Sequence, residues 1–436
     1  MRITMIGTGY VGLVSGACFA DFGHVVTCVD KDASKIDRLN AGEIPIFEPD
    51  LDRLVENNVK EERLFFTTDS EQAIASADAV FIAVGTPARR GDGHADLQYV
   101  YAVAEEIAEH MDGFTVVVTK STVPVGTGDE VEAILREKRP NGDFEVVSNP
   151  EFLREGAAIK DFKIPDRIVV GTEDERAQNV MREVYRPLFL KESPILFTSR
   201  RTSELIKYAG NAFLAVKITF INEMADLCEK VGANVQEVAR GIGLDNRIGL
   251  KFLNAGPGYG GSCFPKDTLA LTKTANDYGS PVRIVDTVID VNAKRKRAMA
   301  GKIIEAMGGD VSGKKIGILG LAFKQNTDDM RDAPSLDIVP LLKEAGANVV
   351  AYDPEAMKEA SHLLQDLDLV GSAYAAVEDA DAMVIITEWD QFRALDLERV
   401  KTAMRGNTVI DLRNIYRPED MAAAGFAYTS IGRPTT

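Results

Sequence analysis

The chain opens with a strand, a glycine turn and a helix, and the same order of patterns returns in its last third. An apolar β pattern over residues 2–6 leads into Gly7-Thr-Gly-Tyr-Val-Gly12, and a helical pattern then runs to Phe22. A second strand and turn follow the same plan at Lys315-Ile-Gly-Ile-Leu-Gly320. Because parallel strands need a crossover connection that a helix usually supplies, each unit is predicted to form a doubly wound parallel sheet.

Further apolar segments alternate with helical patterns in the first unit and reappear in the second. The other strands predicted in the first unit are Val25–Asp30, Ala79–Val84, Thr115–Lys120 and Glu145–Ser148. In the second unit, Val349-Val-Ala-Tyr-Asp353 matches the first of these, and Ala380-Asp-Ala-Met-Val-Ile-Ile386 matches Ala77-Asp-Ala-Val-Phe-Ile-Ala83. This echo indicates two similar α/β domains, although any two α/β units can share such strand patterns.

Between the two units the apolar period becomes helical, from Thr202 to about Val231. One stripe of this helix consists of Leu205, Ala209, Ala212, Val216, Phe220, Met224 and Leu227, widened by Ile206, Phe213 and Ile221. A helix this long and apolar is expected to bridge domains or to pack against a second subunit. We therefore predict an α/β protein with two Rossmann-like doubly wound domains, residues 1–200 and 301–436, joined by a central helical domain, residues 201–300.

Composition limits the classes of function. At 436 residues the chain is longer than one hydrophobic core usually serves, which agrees with two or three domains. Its formal net charge of -17 argues against nucleic acid or an anionic membrane as partner. No targeting segment or membrane-spanning run is recognised, so a cytoplasmic protein is expected. The four cysteines lack Cys-x-x-Cys spacing, so neither a disulfide framework nor a metal site is indicated.

The first glycine turn predicts a dinucleotide site. Gly7, Gly9 and Gly12 permit a tight turn, close approach of a pyrophosphate and close helix packing. Asp30 ends the second strand, where a carboxylate binds the ribose hydroxyls and repels a 2′-phosphate, so NAD is favoured over NADP. A glycine turn without a ligand is the alternative. Lys35 is placed to reach the same end of the cofactor or to be an ordinary surface lysine.

Ligands of open α/β sheets bind beyond the carboxyl ends of the strands. This rule places Gly85–Pro87, Ser121–Pro124 and Asn149–Glu155 along one cleft. The turn of the second unit has Gly317 and Gly320 but no third glycine, so it is not expected to bind a dinucleotide in the same way. Lys324 and Arg331 near that turn either supply positive charge to a phosphorylated ligand or simply face solvent.

Cys263 stands in the run Gly-Tyr-Gly-Gly-Ser-Cys-Phe-Pro-Lys-Asp, far from the dinucleotide turn in sequence. The preceding glycines, Gly258, Gly260 and Gly261, are interpreted as removing side chains that would block a substrate. Pro265 suits the first turn of a helix, and a helix N-terminus with Lys266 nearby favours a thiolate. The residues alone leave a nucleophile and a structural cysteine equally open. The other cysteines, Cys18, Cys28 and Cys228, are interpreted as core residues.

Lys207 and Asn211 are four residues apart on the long helix and therefore share a face, roughly opposite the apolar stripe. An ammonium and an amide would stabilise an alkoxide or a tetrahedral oxyanion, whereas a solvated helix face is the ordinary alternative. Asp267 follows the cysteine by one helical turn, and Glu151 and Glu155 flank the cleft. These carboxylates are candidates for proton transfer in a chain that has many exposed ones.

Together these motifs resemble the nucleotide-sugar dehydrogenases of the UDP-glucose/GDP-mannose dehydrogenase family. The segments that carry the resemblance are Gly7–Gly12, Asp30, Ser121–Pro124, Asn149–Gly156, Glu204–Asn211 and Gly256–Asp267. It covers essentially the whole chain in order, including Phe323-Lys324 and Thr327–Arg331 of the third domain. The run around Cys263 is its most specific part.

The resemblance implies a four-electron oxidation of UDP-glucose at C6 to UDP-glucuronate, with two NAD molecules reduced in turn. It assigns Cys263 as the nucleophile that forms a thiohemiacetal and then a thioester. Lys207 and Asn211 match the oxyanion-stabilising pair, and Asp267 matches the carboxylate beside the nucleophile. The residues that organise water and proton transfer match Thr122 and Glu151.

The same resemblance implies the residues that bind each ligand. For NAD they are Gly7, Gly9, Tyr10, Val11, Gly12, Asp30, Lys35, Thr86, Thr122, Glu155, Lys266 and Arg331. For the sugar nucleotide they are Glu151, Phe152, Leu153, Glu155, Lys207, Asn211, Arg247, Phe252, Leu253, Asn254, Gly256, Gly260 and Lys324. Arg247 resembles an arginine that reaches into the site of a neighbouring subunit, and a homodimer through the central helices is implied.

Other readings stay open at this point. GDP-mannose dehydrogenases share the glycine fingerprint and the Asn149–Gly156 run, while Gly256–Gly260 and Phe264-Pro265 look more like the UDP-glucose branch. UDP-N-acetyl sugar dehydrogenases fit less well around Glu151. A simple 3-hydroxyacid-type dehydrogenase would leave the cysteine motif and the third domain without purpose. A non-catalytic NAD-responsive regulator would need an interaction module that the sequence does not show.

Overall fold

The computed structural model describes residues 1–87, 89, 94–191 and 193–434. The chain divides into two compact units. The first consists of residues 1–210 with 273–278, and the second of residues 211–272 with the chain from 279 onward.

The first unit is built on an eight-stranded sheet. Its strands are β1 (Arg2–Ile6), β2 (Val25–Val29), β3 (Leu64–Thr67), β4 (Ala79–Ile82), β5 (Thr115–Thr119), β6 (Phe144–Ser148), β7 (Ile168–Gly171) and β8 (Ile195–Thr198). Their order in the sheet is β3-β2-β1-β4-β5-β6-β7-β8, and only β6 and β7 pair antiparallel. The first six strands follow the Rossmann order. The five predicted strands are confirmed, whereas β3, β7 and β8, four residues each, were not predicted from sequence.

Helices cover both faces of this sheet. They are α1 (Tyr10–Asp21), α2 (Ala33–Asn40), α3 (Leu51–Lys60), α4 (Ser70–Ala75), α5 (Gln98–His110), α6 (Thr127–Lys138), α7 (Ala158–Lys163) and α8 (Glu175–Val184), followed by a 3-10 helix at Arg186–Lys191. Successive strand residues point to opposite faces, so Met5 belongs to one hydrophobic core and Ile6 to the other. Burial on both faces explains why these strands are continuously apolar.

The second unit combines helices with a six-stranded parallel sheet. After α9 (Arg200–Val231), which both units share, come α10 (Val235–Gly243), α11 (Phe264–Asp277) and α12 (Arg283–Ala306). Residues 273–277 at the end of α11 belong to the first unit. The strands are β9 (Lys315–Leu319), β10 (Asn348–Tyr352), β11 (Asp368–Leu369), β12 (Ala382–Ile385), β13 (Thr408–Asp411) and β14 (Ala427–Ser430). Their order, β11-β10-β9-β12-β13-β14, repeats the Rossmann order and confirms the predicted second doubly wound domain.

Six short helices connect the strands of the second sheet. They are α13 (Ser335–Glu344), α14 (Met357–Leu363), α15 (Ala373–Val377), α16 (Asp390–Arg393), α17 (Leu397–Ala403) and α18 (Pro418–Ala423). Within the described residues, no helix is both long and apolar enough to cross a membrane.

The long helix α9 spans 32 residues and confirms the predicted helix. Its burial only partly follows the predicted apolar stripe. Phe213, Phe220 and Leu227 of that stripe are 64%, 46% and 52% exposed, whereas the polar residues Lys207 and Asn211 are buried. The face of α9 that carries Lys207 and Asn211 is therefore buried, whereas much of the apolar stripe is exposed.

Candidate active site

The first glycine turn leaves room for a ligand. Gly7 has φ of 102°, and a Cβ there would lie 2.7 Å from the carbonyl oxygen of Ala83. A Cβ on Gly12 would lie 1.9 Å from the carbonyl oxygen of Gly7, so both positions require glycine. Around Gly9, by contrast, nothing lies within 4 Å of the Cβ position. The backbone at the start of α1 is thus open to a pyrophosphate, and Tyr10 and Val11 are the first residues of this helix.

Asp30 connects this turn to the start of α2. Its Oδ2 accepts hydrogen bonds from the backbone and hydroxyl of Thr8, at 3.0 and 2.7 Å, and from Lys35 Nζ at 2.9 Å. Burial alone would raise the pKa of this carboxyl, but the hydrogen bonds from Thr8 and Lys35 outweigh burial and lower the pKa to about 2. Asp32 caps α2 through the backbone N–H of Lys35, which places the lysine beside Asp30. An anionic group therefore stands where NADP would carry its 2′-phosphate.

A carboxylate that sequence reasoning missed joins the turn to the segment after β6. Glu48 is buried and accepts hydrogen bonds from the backbone N–H groups of Gly156 and Ala158, at 2.6 and 2.7 Å. The hydroxyl of Tyr10 donates to the same carboxylate. Burial and the charges of Glu48 and Glu155 raise the pKa of Tyr10, so its hydroxyl stays a donor. Glu48 carries no motif, and only the fold brings its partners together.

The loops that follow β4 and β5 meet at the carboxyl edge of the sheet, as predicted. Thr86 Oγ1 donates to the carbonyl oxygen of Thr122 at 2.9 Å, and Ser121 Oγ donates to that of Val84 at 2.7 Å. Glu204, at the start of α9, accepts hydrogen bonds from the backbone of this region at Gly126 and Gly128. The first turns of α9 are thereby anchored at the edge where the ligand loops gather.

Lys207 and Glu151 form a buried ion pair at this edge. The Nζ–Oε1 distance is 3.1 Å, and the two side chains are only 3% and 5% exposed. The backbone N–H of Leu153 donates to the other oxygen of Glu151, and Lys207 Nζ lies 5.4 Å from the centre of the Phe152 ring. An ion pair removed from solvent is costly in free energy, so its presence beside loops that are predicted to bind ligands makes it a candidate for a functional role.

Cys263 immediately precedes α11 in the second unit. Its carbonyl oxygen accepts the first helical hydrogen bond, from Asp267 N at 2.8 Å, and Pro265 lies in the first turn as predicted. The thiol is partly exposed, whereas the other three are buried. Burial raises the pKa of Cys18 and Cys28 to about 12, so these two are inert under ordinary conditions. The position of Cys263 at a helix N-terminus is the one that favours a reactive thiolate.

The glycines before Cys263 have a different purpose from the one predicted. A Cβ on Gly260 would lie 2.4 Å from the carbonyl oxygen of Asp332, and one on Gly261 would lie 2.7 Å from the Phe323 ring. A Cβ on Gly258 would lie 2.9 Å from the Asn292 side chain. Side chains at these positions would therefore collide with the protein itself, and this is a more direct reason for glycine than the predicted clearance for a substrate. The glycines let the cysteine loop pack against neighbouring segments of its own unit.

Asp267 organises the polar groups beside the cysteine loop. It is 1% exposed, and its two oxygens accept from Asn211 Nδ2 and Lys266 Nζ, each at 2.6 Å. Asn211 is thereby held in one orientation, with its amide nitrogen directed at the carboxylate. The ammonium of Lys266 is neutralised by Asp267, which weakens its predicted effect on the thiol. These three predicted site residues do lie together.

The predicted substrate segment 252–256 is an irregular stretch before the cysteine loop. Phe252 has φ of 66°, and its ring lies 6.1 Å from that of Phe264. Leu253 is buried, Asn254 is exposed, and the backbone N–H of Gly256 donates to Asn222 Oδ1 at 2.9 Å.

Two arginines predicted to bind ligands, Arg247 and Arg331, stand at the surface of the second unit, where Lys324 is partly exposed. Arg247 pairs with Asp245 at 2.6 Å and has a side chain that is 89% exposed. Arg331 forms two hydrogen bonds with Asp329, at 2.8 and 2.9 Å. Lys324 Nζ lies 5.2 Å above the ring of its neighbour, Phe323. Arg247 and Arg331 are therefore accessible to a ligand while each is oriented by an aspartate.

Asp353 is the counterpart of Asp30 in the second sheet, and it is used differently. It is fully buried and accepts from the backbone N–H groups of Leu321 and Ala322, at 2.7 and 3.0 Å, and from Trp389 Nε1 at 3.2 Å. Because Asp353 is fully buried, whereas the Asp30 side chain is 12% exposed, the Asp353 carboxylate is not available to a ribose. This agrees with the expectation that the second turn does not bind a dinucleotide as the first does.

An open glycine turn with an ionised aspartate at the end of the next strand, on the first of two Rossmann-like sheets, is typical of NAD-dependent oxidoreductases. Comparison with protein families makes this more specific: the chain belongs to the UDP-glucose/GDP-mannose dehydrogenase family. Residues 1–189 match its NAD binding domain, residues 201–294 its central domain and residues 317–418 its UDP binding domain.

Individual relatives cover the full length of the chain. It is 67% identical over 436 residues, all of both chains, to UDP-glucose 6-dehydrogenase from Rhizobium meliloti. It is 50% identical to UDP-glucose 6-dehydrogenase TuaD from Bacillus subtilis, over 99% of this chain and 93% of that protein. A UDP-glucose dehydrogenase structure from Pyrobaculum islandicum has a TM-score of 0.88 at 40% identity, covering 95% of this chain and 94% of the other.

The predicted family, fold class, enzyme class and NAD cofactor are confirmed by these matches. The regulator and the 3-hydroxyacid-type dehydrogenase are thereby set aside. The predicted domain limits and the roles of individual site residues stay predictions.

Proposed function

We propose that this enzyme oxidises UDP-glucose to UDP-glucuronate through two successive hydride transfers and a covalent intermediate on Cys263. The observation that carries the proposal is the single partly exposed thiol at the start of α11, in a chain whose other thiols are buried. Full-length identity of 67% to a UDP-glucose 6-dehydrogenase supports the substrate.

In the first oxidation the C6 hydroxyl loses its proton and C6 loses a hydride. The open glycine turn and Asp30 would hold NAD, which would supply the hydride acceptor. The buried ammonium of Lys207 stabilises the alkoxide that precedes hydride loss, and the amide of Asn211, one turn further along α9, assists it. The Glu151 carboxylate holds Lys207 in place through their 3.1 Å contact. The product of this step is an aldehyde.

In the second oxidation the Cys263 thiolate adds to the aldehyde carbon, and the oxygen takes up a proton to give a thiohemiacetal. Loss of that proton and of a second hydride from the same carbon, for which a second NAD would be the acceptor, gives a thioester. Water then attacks the thioester carbon, the C–S bond breaks, and UDP-glucuronate and the free thiol are released. Thr122 and Glu151 are proposed to position and deprotonate the water, while Asp267 holds Asn211 in the orientation that the oxyanion needs.

The direct test offers UDP-glucose, GDP-mannose and a UDP-N-acetyl sugar with NAD, counts NADH and identifies the product by mass spectrometry. We expect two NADH per UDP-glucuronate. For the other sugars we expect kcat/KM to be lower by at least about a hundredfold. One NADH per product would contradict the four-electron reaction. A preference for GDP-mannose would keep the reaction but replace the substrate.

We also propose that the enzyme is a homodimer whose subunits meet along the uncovered stripe of α9. Phe213, Phe220 and Leu227 lie seven residues apart on one side of the helix, and each is about half exposed or more. Phe220→Glu is expected to convert a species of twice the chain mass into a monomer in analytical ultracentrifugation. Leu363→Glu, at an exposed leucine of α14, is the control and should not change the mass. A wild-type protein that sediments as a monomer would refute the proposal.

The domain limits at residues 200 and 300 and a cytoplasmic location complete the proposal. All four cysteines are free thiols, which suits a reducing compartment. Limited proteolysis with mass analysis would test the limits, and cell fractionation would test the location.

A further inference from the structure

Lys120 is a buried lysine at the carboxyl end of β5 that has no part in the roles described above. It is 4% exposed. Its Nζ donates to Asn149 Oδ1 and to the Tyr185 hydroxyl oxygen, each at 3.2 Å, and the Tyr185 hydroxyl in turn donates to Asn149 Oδ1 at 2.6 Å. Both of these hydrogen-bond partners are neutral. Neither of them cancels the charge of the ammonium.

The charged and titratable groups that act on Lys120 are Glu151, Lys207 and Tyr185. Glu151 attracts the ammonium, but this carboxylate is already paired with Lys207 at 3.1 Å. The same buried carboxylate, Glu151, therefore attracts two buried ammonium groups, those of Lys207 and Lys120. Burial raises the pKa of Tyr185, so its hydroxyl stays neutral, and the rings of Phe162 and Tyr185 lie 5.9 and 5.8 Å from Lys120 Nζ. The three charges would sum to one net positive charge.

We propose that Lys120 is a positioning residue of the active site. Its buried ammonium gives the group formed by Lys120, Glu151 and Lys207 a net positive charge, which favours the oxyanions formed at the sugar C6. The proposal rests on the function proposed above for that pair. Burial, with a smaller contribution from Lys207, lowers the pKa of Lys120 to about 8, against the opposing effect of Glu151. The added charge is therefore present at neutral pH and is lost above about pH 8.

The competing explanation is that Lys120 only ties the loop after β5 to Asn149. The two explanations differ in the sign of a stability change. If Lys120 is a tie, Lys120→Met should destabilise the protein at pH 7. If the charge is kept for function, its burial is costly, and Lys120→Met should be as stable as the wild type or more stable. In this variant Asn149 Oδ1 keeps its hydrogen bond from Tyr185, and the Tyr185 hydroxyl, although it loses Lys120 as a donor, still donates to Asn149.

The pH dependence of stability gives a second readout that does not involve catalysis. The folded-state pKa of Lys120, about 8, lies below the ordinary lysine value of about 10.4. Between these values the unfolded chain binds more protons, so the stability of the wild type rises with pH relative to Lys120→Met. At pH 7 the denaturant midpoint of Lys120→Met should be higher than that of the wild type. At pH 9.5 the difference between the two midpoints should be smaller.

The catalytic readout is the pH profile of kcat. We expect the kcat of the wild type to fall as the pH rises through about 8, and we expect Lys120→Met to lose about tenfold in kcat at pH 7 and to lack that fall. Tyr185→Phe is the matched control, because it removes one partner of Lys120 but keeps the charge, and it should keep that fall. A destabilised Lys120→Met at pH 7, or an unchanged profile shape, would overturn the proposal. The stability readout separates this failure from a failure of the proposed reaction, which the NADH count reveals.

Discussion

Replacing Cys263 with serine is expected to abolish the formation of UDP-glucuronate, with a loss in kcat of at least about a thousandfold. Serine has nearly the same shape, but its hydroxyl does not ionise near neutral pH and so provides a far weaker nucleophile. The first hydride transfer does not use the thiol. A rapid-mixing experiment should therefore show at most about one NADH per active site, followed by a stalled enzyme.

Cys228→Ala is the control for this experiment, because Cys228 is a buried thiol of the same unit. Its removal should leave the NADH count and the rate close to those of the wild type, at some cost in stability. Two NADH per product at the normal rate in the Cys263 variant would show that the thiol is not the nucleophile.

Breaking the Lys207–Glu151 pair is expected to damage both activity and stability. Lys207→Met leaves the Glu151 carboxylate without its 3.1 Å partner, and Glu151→Gln does the same to the lysine. Removing one partner of a buried ion pair typically costs about 3 kcal/mol in the free energy of unfolding. We expect each single variant to lose that amount in urea denaturation and to lose roughly a hundredfold or more in kcat.

The double variant Lys207→Met/Glu151→Gln distinguishes the two effects. With neither charge left, it should recover most of the lost stability, giving a coupling energy of about 2 kcal/mol or more. Its activity should stay low, because the oxyanion still lacks its ammonium. Additive stability losses would mean that the pair does not interact in the folded protein, and recovered activity would remove Lys207 from the mechanism.

Features that depend on neighbours in sequence could be predicted. The turn at Gly7–Gly12 and the helix after Cys263 are local, because the residues that define them lie within one or two turns of each other. The strands β3, β7 and β8 have four residues each and were missed because so short a segment carries little periodicity. The strand β4 is equally short, but its apolar run continues to Val84 and could be recognised. Segment length and apolar alternation were not enough to recognise the other three strands, but the fold class was still predicted.

Features that depend on partners distant in sequence could not be predicted. Glu48 meets Gly156 and Ala158 more than a hundred residues away, and Lys120 meets Tyr185 at a separation of 65. Neither residue stands in a motif, so no pattern marks it. The tight packing of Gly260 against Asp332 is of the same kind and explains why the role of this glycine was misread.

The sequence alone determined two Rossmann-like domains around a long helix, an NAD site, a family and a single distinctive cysteine, because each of these is written in spacing along the chain. Tertiary structure decided which charges are buried and what they contact. It paired Lys207 with Glu151, buried Asp353 while leaving the Asp30 turn open, and buried Lys120 against the neutral side chains of Asn149 and Tyr185. The free energy of a charged group depends more on whether the group is buried than on which residue type carries it, and burial exists only in the folded protein.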